Sequence, residues 1–162
     1  MILSLFHFLQ GTAIGTGIRE SSLVYPIIMT GHLAGMALFG GMILIVDMRL
    51  LGWGLTAHPV SDIVGGLKHW KHLGLTMTAG CGILLFWAKA EQYYPNPYLW
   101  CKFAMFALVA IHALVFRKSV YANVAEYDKA RRIPQIAKIA AGSSMLLWAL
   151  VVTFGRLIGY HE

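Results

Sequence analysis

The amino-acid sequence indicates an all-α integral membrane protein: a four-helix bundle with a short N-terminal interfacial helix. Of its 162 residues, 58% are hydrophobic and only 12% are charged, which does not suit the solvated surface of a soluble domain. Four apolar stretches each reach the length needed to cross the hydrocarbon core, about 20 helical residues. Only short connections separate them, so we expect one transmembrane domain over residues 1–162.

The N-terminal segment, residues 1–18, is apolar but interrupted by glycines, and it has neither a basic start nor a small-residue cleavage site. A cleaved signal peptide is therefore not expected. Phe6 and Phe8 stand beside the polar His7 and Gln10, a pattern typical of a helix that lies in the membrane interface. We expect one short interfacial helix here.

The predicted spans cover about residues 24–52, 69–89, 98–117 and 135–159. The connection of residues 54–66 suits a turn with a short amphipathic piece. The connection of residues 119–133 reads as a charged surface helix or hairpin that stops at Pro134. A proline at the first position of a helix loses no hydrogen bond, so Pro134 suits the start of the last span.

The basic residues predict the topology, because Lys and Arg beside short loops are retained in the cytoplasm. Nine of the thirteen flank the first and third connections: Arg49, Lys68, Lys71, Arg117, Lys118, Lys129, Arg131, Arg132 and Lys138. These connections should be cytoplasmic. Both termini would then be periplasmic in a multi-pass protein of the bacterial inner membrane. A nucleic-acid partner would need a denser basic face, so none is expected.

Motifs for common chemistry are missing from the sequence. Cys81 and Cys101 lie inside spans without a CxxC or a zinc spacing, and they read as small packing residues. There is no CxxCH for covalent haem attachment, no P-loop and no dinucleotide fingerprint.

Histidines in or at the ends of spans are the strongest functional signal: His32, His69, His72 and His112. An imidazole facing a membrane interior is costly unless it ligates something, relays protons or bonds across helices. This pattern favours a buried cofactor, one or two molecules of haem b.

The first candidate site lies on the cytoplasmic side. Since the second and third spans run in opposite directions, His72, or less easily His69, comes to the height of His112, and these side chains are candidate haem or metal ligands. Small residues and cations that suit a porphyrin lie around them: Thr76, Gly80, Lys68, Lys71 and Arg117. Two alternatives stay open. His69 and His72 would also serve as interfacial residues beside Trp70, and His112 as a partner for a backbone carbonyl.

The second candidate site lies on the periplasmic side, with His32 as a haem or metal ligand and Lys102 or Arg156 as the charged partner. Met29 and Met36 share a helix face with His32, which would also fit a soft metal such as copper. His32 would equally serve as an interior hydrogen-bonding residue. Lys102 would equally extend its ammonium to the headgroups.

Several stretches carry a resemblance to known proteins: residues 20–26 (ESSLVYP), 31–40 (GHLAGMALFG), 46–52 (VDMRLLG), Asn96 and Pro97 with Lys102, and residues 155–160 (GRLIGY). They resemble a family of uncharacterised bacterial four-helix inner-membrane proteins, a domain of unknown function. The resemblance covers nearly the whole chain and implies no assigned activity.

A weaker likeness rests on four residues. In the first span they are the histidine His32 and the arginine near the end of the span, Arg49, and in the third span they are Lys102 and His112. This arrangement is similar to the haem-containing protoporphyrinogen oxidases of the four-helix type and to the copper-resistance D proteins. The resemblance to the oxidases implies that His32 and Lys102 matter for haem and activity.

Three hypotheses follow. The first is a b-type cytochrome-like membrane protein that passes electrons between a quinone or membrane partner and a redox protein, and so belongs with the oxidoreductases. The second is a protoporphyrinogen oxidase-like enzyme at His32 and Lys102. The third is a haem-free accessory subunit of a larger membrane complex, with Gly31, Gly35 and Gly40 as its helix interface. Copper passage is a minor fourth. A homo-oligomer or a larger complex is expected because little of the bundle lies outside the membrane.

Overall fold

A computed structural model describes residues 2–122, 124–129 and 133–160. Within these ranges the chain is helical and contains no strand, which confirms the all-α fold class. The helices are α1 (Ile2–Gly11), α2 (Ala13–Glu20), α3 (Val24–Leu51), α4 (Val60–Ala88), α5 (Ala90–Tyr93), α6 (Pro97–Phe116), α7 (Val124–Lys129) and α8 (Gln135–Ile158), with a π-helical turn at Arg117–Tyr121.

Three helices of the described chain, α3, α6 and α8, are long and apolar enough to cross a membrane. In α8, 28% of the residues of the most apolar window are buried, against 6% in α3 and in α6, so α8 is the most enclosed of the three. Helix α4 is 29 residues long, but Asp62, Lys68 and Lys71 make its first half more polar. That α4 is a fourth span stays a prediction.

The long helices pack in the order α4, α3, α8, α6, with α3 against both α4 and α8, and α6 against α8. The closest approach is between α3 and α4. A Cβ placed on Gly35 would lie 2.7 Å from the backbone nitrogen of Thr78, and one on Gly74 would lie 2.6 Å from that of Phe39. Glycine is therefore required at both positions of the α3/α4 interface.

The bundle has a buried cluster at each end. We call the end at which α3 and α6 finish the loop side, and the opposite end the terminal side. On the loop side, Leu50, Val60 and Val120 form a cluster with alanines of α8. On the terminal side, Leu99 and Ile158 pack with Tyr93.

Asparagine and glycine fix two helix ends. Asn96 is buried, with 3% exposure. Its Oδ1 accepts from the Tyr98 N–H at 3.0 Å, which begins α6, and its side-chain amide donates to the Ile158 carbonyl at 3.1 Å. Asn96 therefore connects the start of α6 to the end of α8. Helix α3 ends at Gly52, whose φ of 80° is left-handed and whose N–H donates to the Arg49 carbonyl.

Two boundaries differ from the sequence-based expectation. The expected N-terminal helix is a pair, because the Thr12 hydroxyl accepts from the Gly15 N–H and starts a second helix. Helix α4 begins at Val60, inside the expected connection of residues 54–66, because the Asp128 carboxylate accepts from the backbone N–H groups of Val60 and Ser61. A partner 68 residues away along the chain is invisible to local patterns.

Candidate functional site

His32 lies inside the bundle on the terminal side and is only 9% exposed. Its Nδ1 lies 2.9 Å from the Thr78 carbonyl oxygen on α4. One turn further along α4, Gly82 leaves room for the imidazole, since a Cβ there would lie 3.0 Å from His32 Cε1. A carbonyl only accepts, so Nδ1 carries the proton, and the neutral ring presents its lone pair at Nε2.

Lys102 reaches the same region from α6. It lies in the same part of the bundle as His32. The three atoms nearest to a Cβ built on Gly155 of α8 all belong to the Lys102 side chain, with Nζ at 3.4 Å. Nζ also lies 5.8 Å from the centre of the Phe106 ring. The lysine therefore points along α8 into the bundle, and residues of all four long helices meet around it and His32.

The histidines of α4 lie elsewhere. His69 and His72 are exposed, and His72 Nδ1 donates to the Lys68 carbonyl of its own helix at 2.7 Å. The inward face of α4 is set by Gly74 against α3. His72 precedes Gly74 by two residues, about 200° around the helix, so it faces outward.

His112 of α6 is partly buried and bonded to α8. Its Nε2 lies 3.0 Å from the Ala140 carbonyl oxygen and 2.9 Å from the Ser143 hydroxyl. Helices α4 and α6 are not among the extensively packed pairs. The structure therefore does not bring His72 and His112 together within one chain, and His112 has the backbone partner that the sequence analysis held open as its alternative.

Arg156 lies on the surface of α8, where its guanidinium stacks on Tyr160 with 5.0 Å between Cζ and the ring centre. It is directed to Tyr160 rather than to His32. In the described ranges, no three His, Cys, Asp or Glu side chains cluster closely enough to hold a metal ion. The Gly31 and Gly35 surface, expected as an interface for another subunit, is already used within the chain against α4.

Asp47 of α3 is an acidic residue that is not among the ligands predicted from the sequence. It is 1% exposed and lies against Ser144 of α8. Burial, with a smaller contribution from the Asp47 charge, raises the pKa of the nearby Tyr121. An acidic residue inside an apolar span was the signal available in the sequence.

The fold and this polar interior define a helical membrane protein with a buried histidine and a partly buried lysine on the terminal side. A family model described as a family of unknown function, DUF6644, matches residues 14–161. The chain therefore belongs to this family, which confirms the expected domain of unknown function. No curated protein and no solved structure is detectably similar to it.

Proposed function

We propose that the protein is a haem-binding redox protein of the inner membrane, similar to a b-type cytochrome, with His32 as an axial ligand. The supporting observation is the hydrogen bond from His32 Nδ1 to the Thr78 carbonyl. Metal-ligating histidines almost always donate their second ring N–H to such an acceptor, which fixes the tautomer and orients the free nitrogen. His32 has this arrangement.

Lys102 completes the proposed site. A haem carries propionates, and a cation close to the axial histidine suits them. Lys102 lies in the same part of the bundle as His32, and its flexible side chain borders Gly155 of α8.

The space available limits where a porphyrin would lie. The backbones of α3 and α4 are too close at Gly35 and Gly74 to admit a flat ring between them. The ring would therefore lie on the side of His32 that faces α6 and α8. When bound, haem supplies one-electron transfer, while His32 holds it and Lys102 balances its charge. His72 and His112 are apart, so we propose one haem rather than two.

A second candidate function uses the same two residues. In the haem-containing protoporphyrinogen oxidases that the chain weakly resembles, the first-span histidine and the third-span lysine serve haem and activity. The approach of Lys102 to His32 favours this alternative specifically. An assay for porphyrinogen oxidation by the purified protein separates an enzyme from an electron carrier that serves a quinone or a redox protein.

The test is the visible spectrum of the protein purified from haem-supplied cells. We expect a Soret band with about one haem per chain, lost in His32→Ala and altered in Lys102→Met. His112→Ala is the matched control, since it removes an imidazole that is already bonded to α8. Its spectrum should be unchanged.

Two results would overturn the proposal. A correctly inserted but colourless protein would leave a haem-free accessory subunit as the better description. A spectrum that is lost in His112→Ala and kept in His32→Ala would move the site to the loop side. Metal analysis of the same preparations distinguishes copper from haem.

A further inference from the structure

A groove of about 590 Å³ lies between α3 and α8 and begins at Met36, one helical turn beyond His32, which is not in its lining. Its walls are aliphatic residues and glycines with Met36 and Met145, and the ring of Trp148 forms part of one wall. Asp47 is the only ionisable residue in the lining. From Met36 to Asp47 the groove follows α3 for about 16 Å, at 1.5 Å per residue. Its shape suits an elongated apolar molecule.

The carboxyl of Asp47 is incompletely satisfied. Its Oδ2 is buried and has no hydrogen-bond partner within the described part of the chain. A buried polar atom without a partner is costly, and an unpaired charge in a membrane interior is more so. A ligand that brings a charged donor to this oxygen would relieve both costs.

We propose that this groove binds an elongated lipophilic cation, with its ammonium group against Asp47 and its apolar body along α3 and α8. The ammonium matches the carboxylate in charge and donates the missing hydrogen bond. A neutral lipid or a quinol would fill the groove but would bring no charged donor to the Asp47 carboxyl. The proposal does not depend on haem.

Two side chains report occupancy of the groove directly. Met36 and Met145 line it, and their methyl resonances are resolvable by NMR in nanodiscs of zwitterionic lipid. The probe is dodecylamine, and its neutral control is dodecanol, which has the same chain. We expect both ligands to shift these two methyl signals. The amine should bind about tenfold more tightly than the alcohol, because it gains one charge-assisted hydrogen bond.

Two variants separate the contributions of charge and space. Asp47→Asn keeps the shape of the side chain and should bind the amine and the alcohol equally. Gly41→Leu should block both ligands, because Gly41 lines the groove and a Cβ there meets nothing within 4 Å. The controls are Asp62→Asn, an exposed acid of α4, and Gly142→Leu, an exposed glycine of α8 outside the groove lining. Both should bind like the unaltered protein.

Equal affinities for amine and alcohol in the unaltered protein would overturn the proposal and leave an ordinary lipid-facing surface. So would an amine preference that survives Asp47→Asn, or methyl signals of Met36 and Met145 that do not respond to either probe. The comparison of amine with alcohol needs no variant, so equal affinities would overturn the proposal even if Asp47→Asn fails to fold.

Discussion

Asp128 holds the start of α4 although it lies 68 residues further along the chain. Its Oδ1 accepts from the backbone N–H of Val60 at 2.5 Å and from that of Ser61 at 3.3 Å. The pKa of Asp128 is lowered by the hydrogen bond from the Ser61 hydroxyl, by those from the two backbone groups and by the nearby Arg49 charge. Desolvation acts in the opposite direction and is smaller than these effects together. The carboxylate therefore caps a helix that has no capping side chain of its own.

This cap should be sensitive to acid. The folded state lowers the pKa of Asp128, so its stabilising contribution is fully present above the ordinary value of about 3.9 and is lost as the pH falls through the lower, folded value. We expect the hydrogen-exchange protection factors of the Val60 and Ser61 amides to fall in that acidic range. In Asp128→Ala they should be low at every pH. Asp62→Ala, in the first turn of the same helix, is the control. Protection that survives Asp128→Ala would contradict this role.

Helical spacing predicted which side chains share a face but not which face turns inward. His32 and Lys102 were matched by their depth in the spans, and the structure places them in one region. The same reasoning matched His72 with His112, but α4 turns His72 outward. The close approach of α3 to Gly74 decides the orientation of α4, because it turns the Gly74 side of α4 toward the bundle. Backbone approach of this kind depends on the partner helix, which the sequence of α4 does not contain.

Among the elements, the α3/α4 interface should be the most sensitive to added volume. A Cβ at Gly74 would lie 2.6 Å from the Phe39 nitrogen and 2.9 Å from its Cα, and backbone atoms cannot move aside cheaply. We expect Gly74→Ala to lower the free energy of unfolding by about 1–3 kcal/mol, the usual cost of overpacking. Steric trapping or detergent titration in bicelles measures the loss.

Gly80→Ala is the matched control for Gly74→Ala, because it lies on the same helix and a Cβ there meets nothing within 4 Å. It should be neutral or stabilise the protein by about 0.5–1 kcal/mol, since alanine restricts the unfolded chain more than glycine does. Equal effects of the two substitutions would show that α3 and α4 are not in close contact.

Some helix ends are marked by the local sequence, and one is fixed by a distant residue. Helices α3, α6 and α8 begin and end within one residue of their predicted spans. Prolines, a glycine and the loss of apolar residues mark those ends locally. Helix α4 starts nine residues before its predicted span, at Val60 rather than at residue 69. Its first turns are polar and depend on Asp128, so hydropathy alone could not include them.

At the scale of the molecule, the two ends of the bundle differ in charge. The loop side holds Arg49, near the start of α4, and Lys138, in the first turn of α8. The terminal side holds the N-terminal helices, which are joined to α4 by hydrogen bonds from Trp87 to Leu9 and from Arg19 to the Ala88 carbonyl. Nine basic residues flank the connections assigned to the loop side, and the other four do not: Arg19, Lys89, Lys102 and Arg156.

This asymmetry predicts the orientation in the membrane. Basic residues beside short loops keep those loops in the cytoplasm, so the loop side should be cytoplasmic and both termini periplasmic. A reporter that is active only after export should be active when fused after Glu162 and inactive when inserted at Glu126 of α7. A third insertion at Glu91 of α5 and a fourth at Ala57, just before α4, test α4 itself, because α4 crosses the bilayer only if these two reporters lie on opposite sides. Export at Glu126 would invert the molecule, and would place Asp47 at the periplasmic end and His32 nearer the cytoplasm. Equal activity at Ala57 and Glu91 would instead leave α3, α6 and α8 as the spanning helices, with α4 packed on them without crossing and the two termini on opposite sides of the membrane.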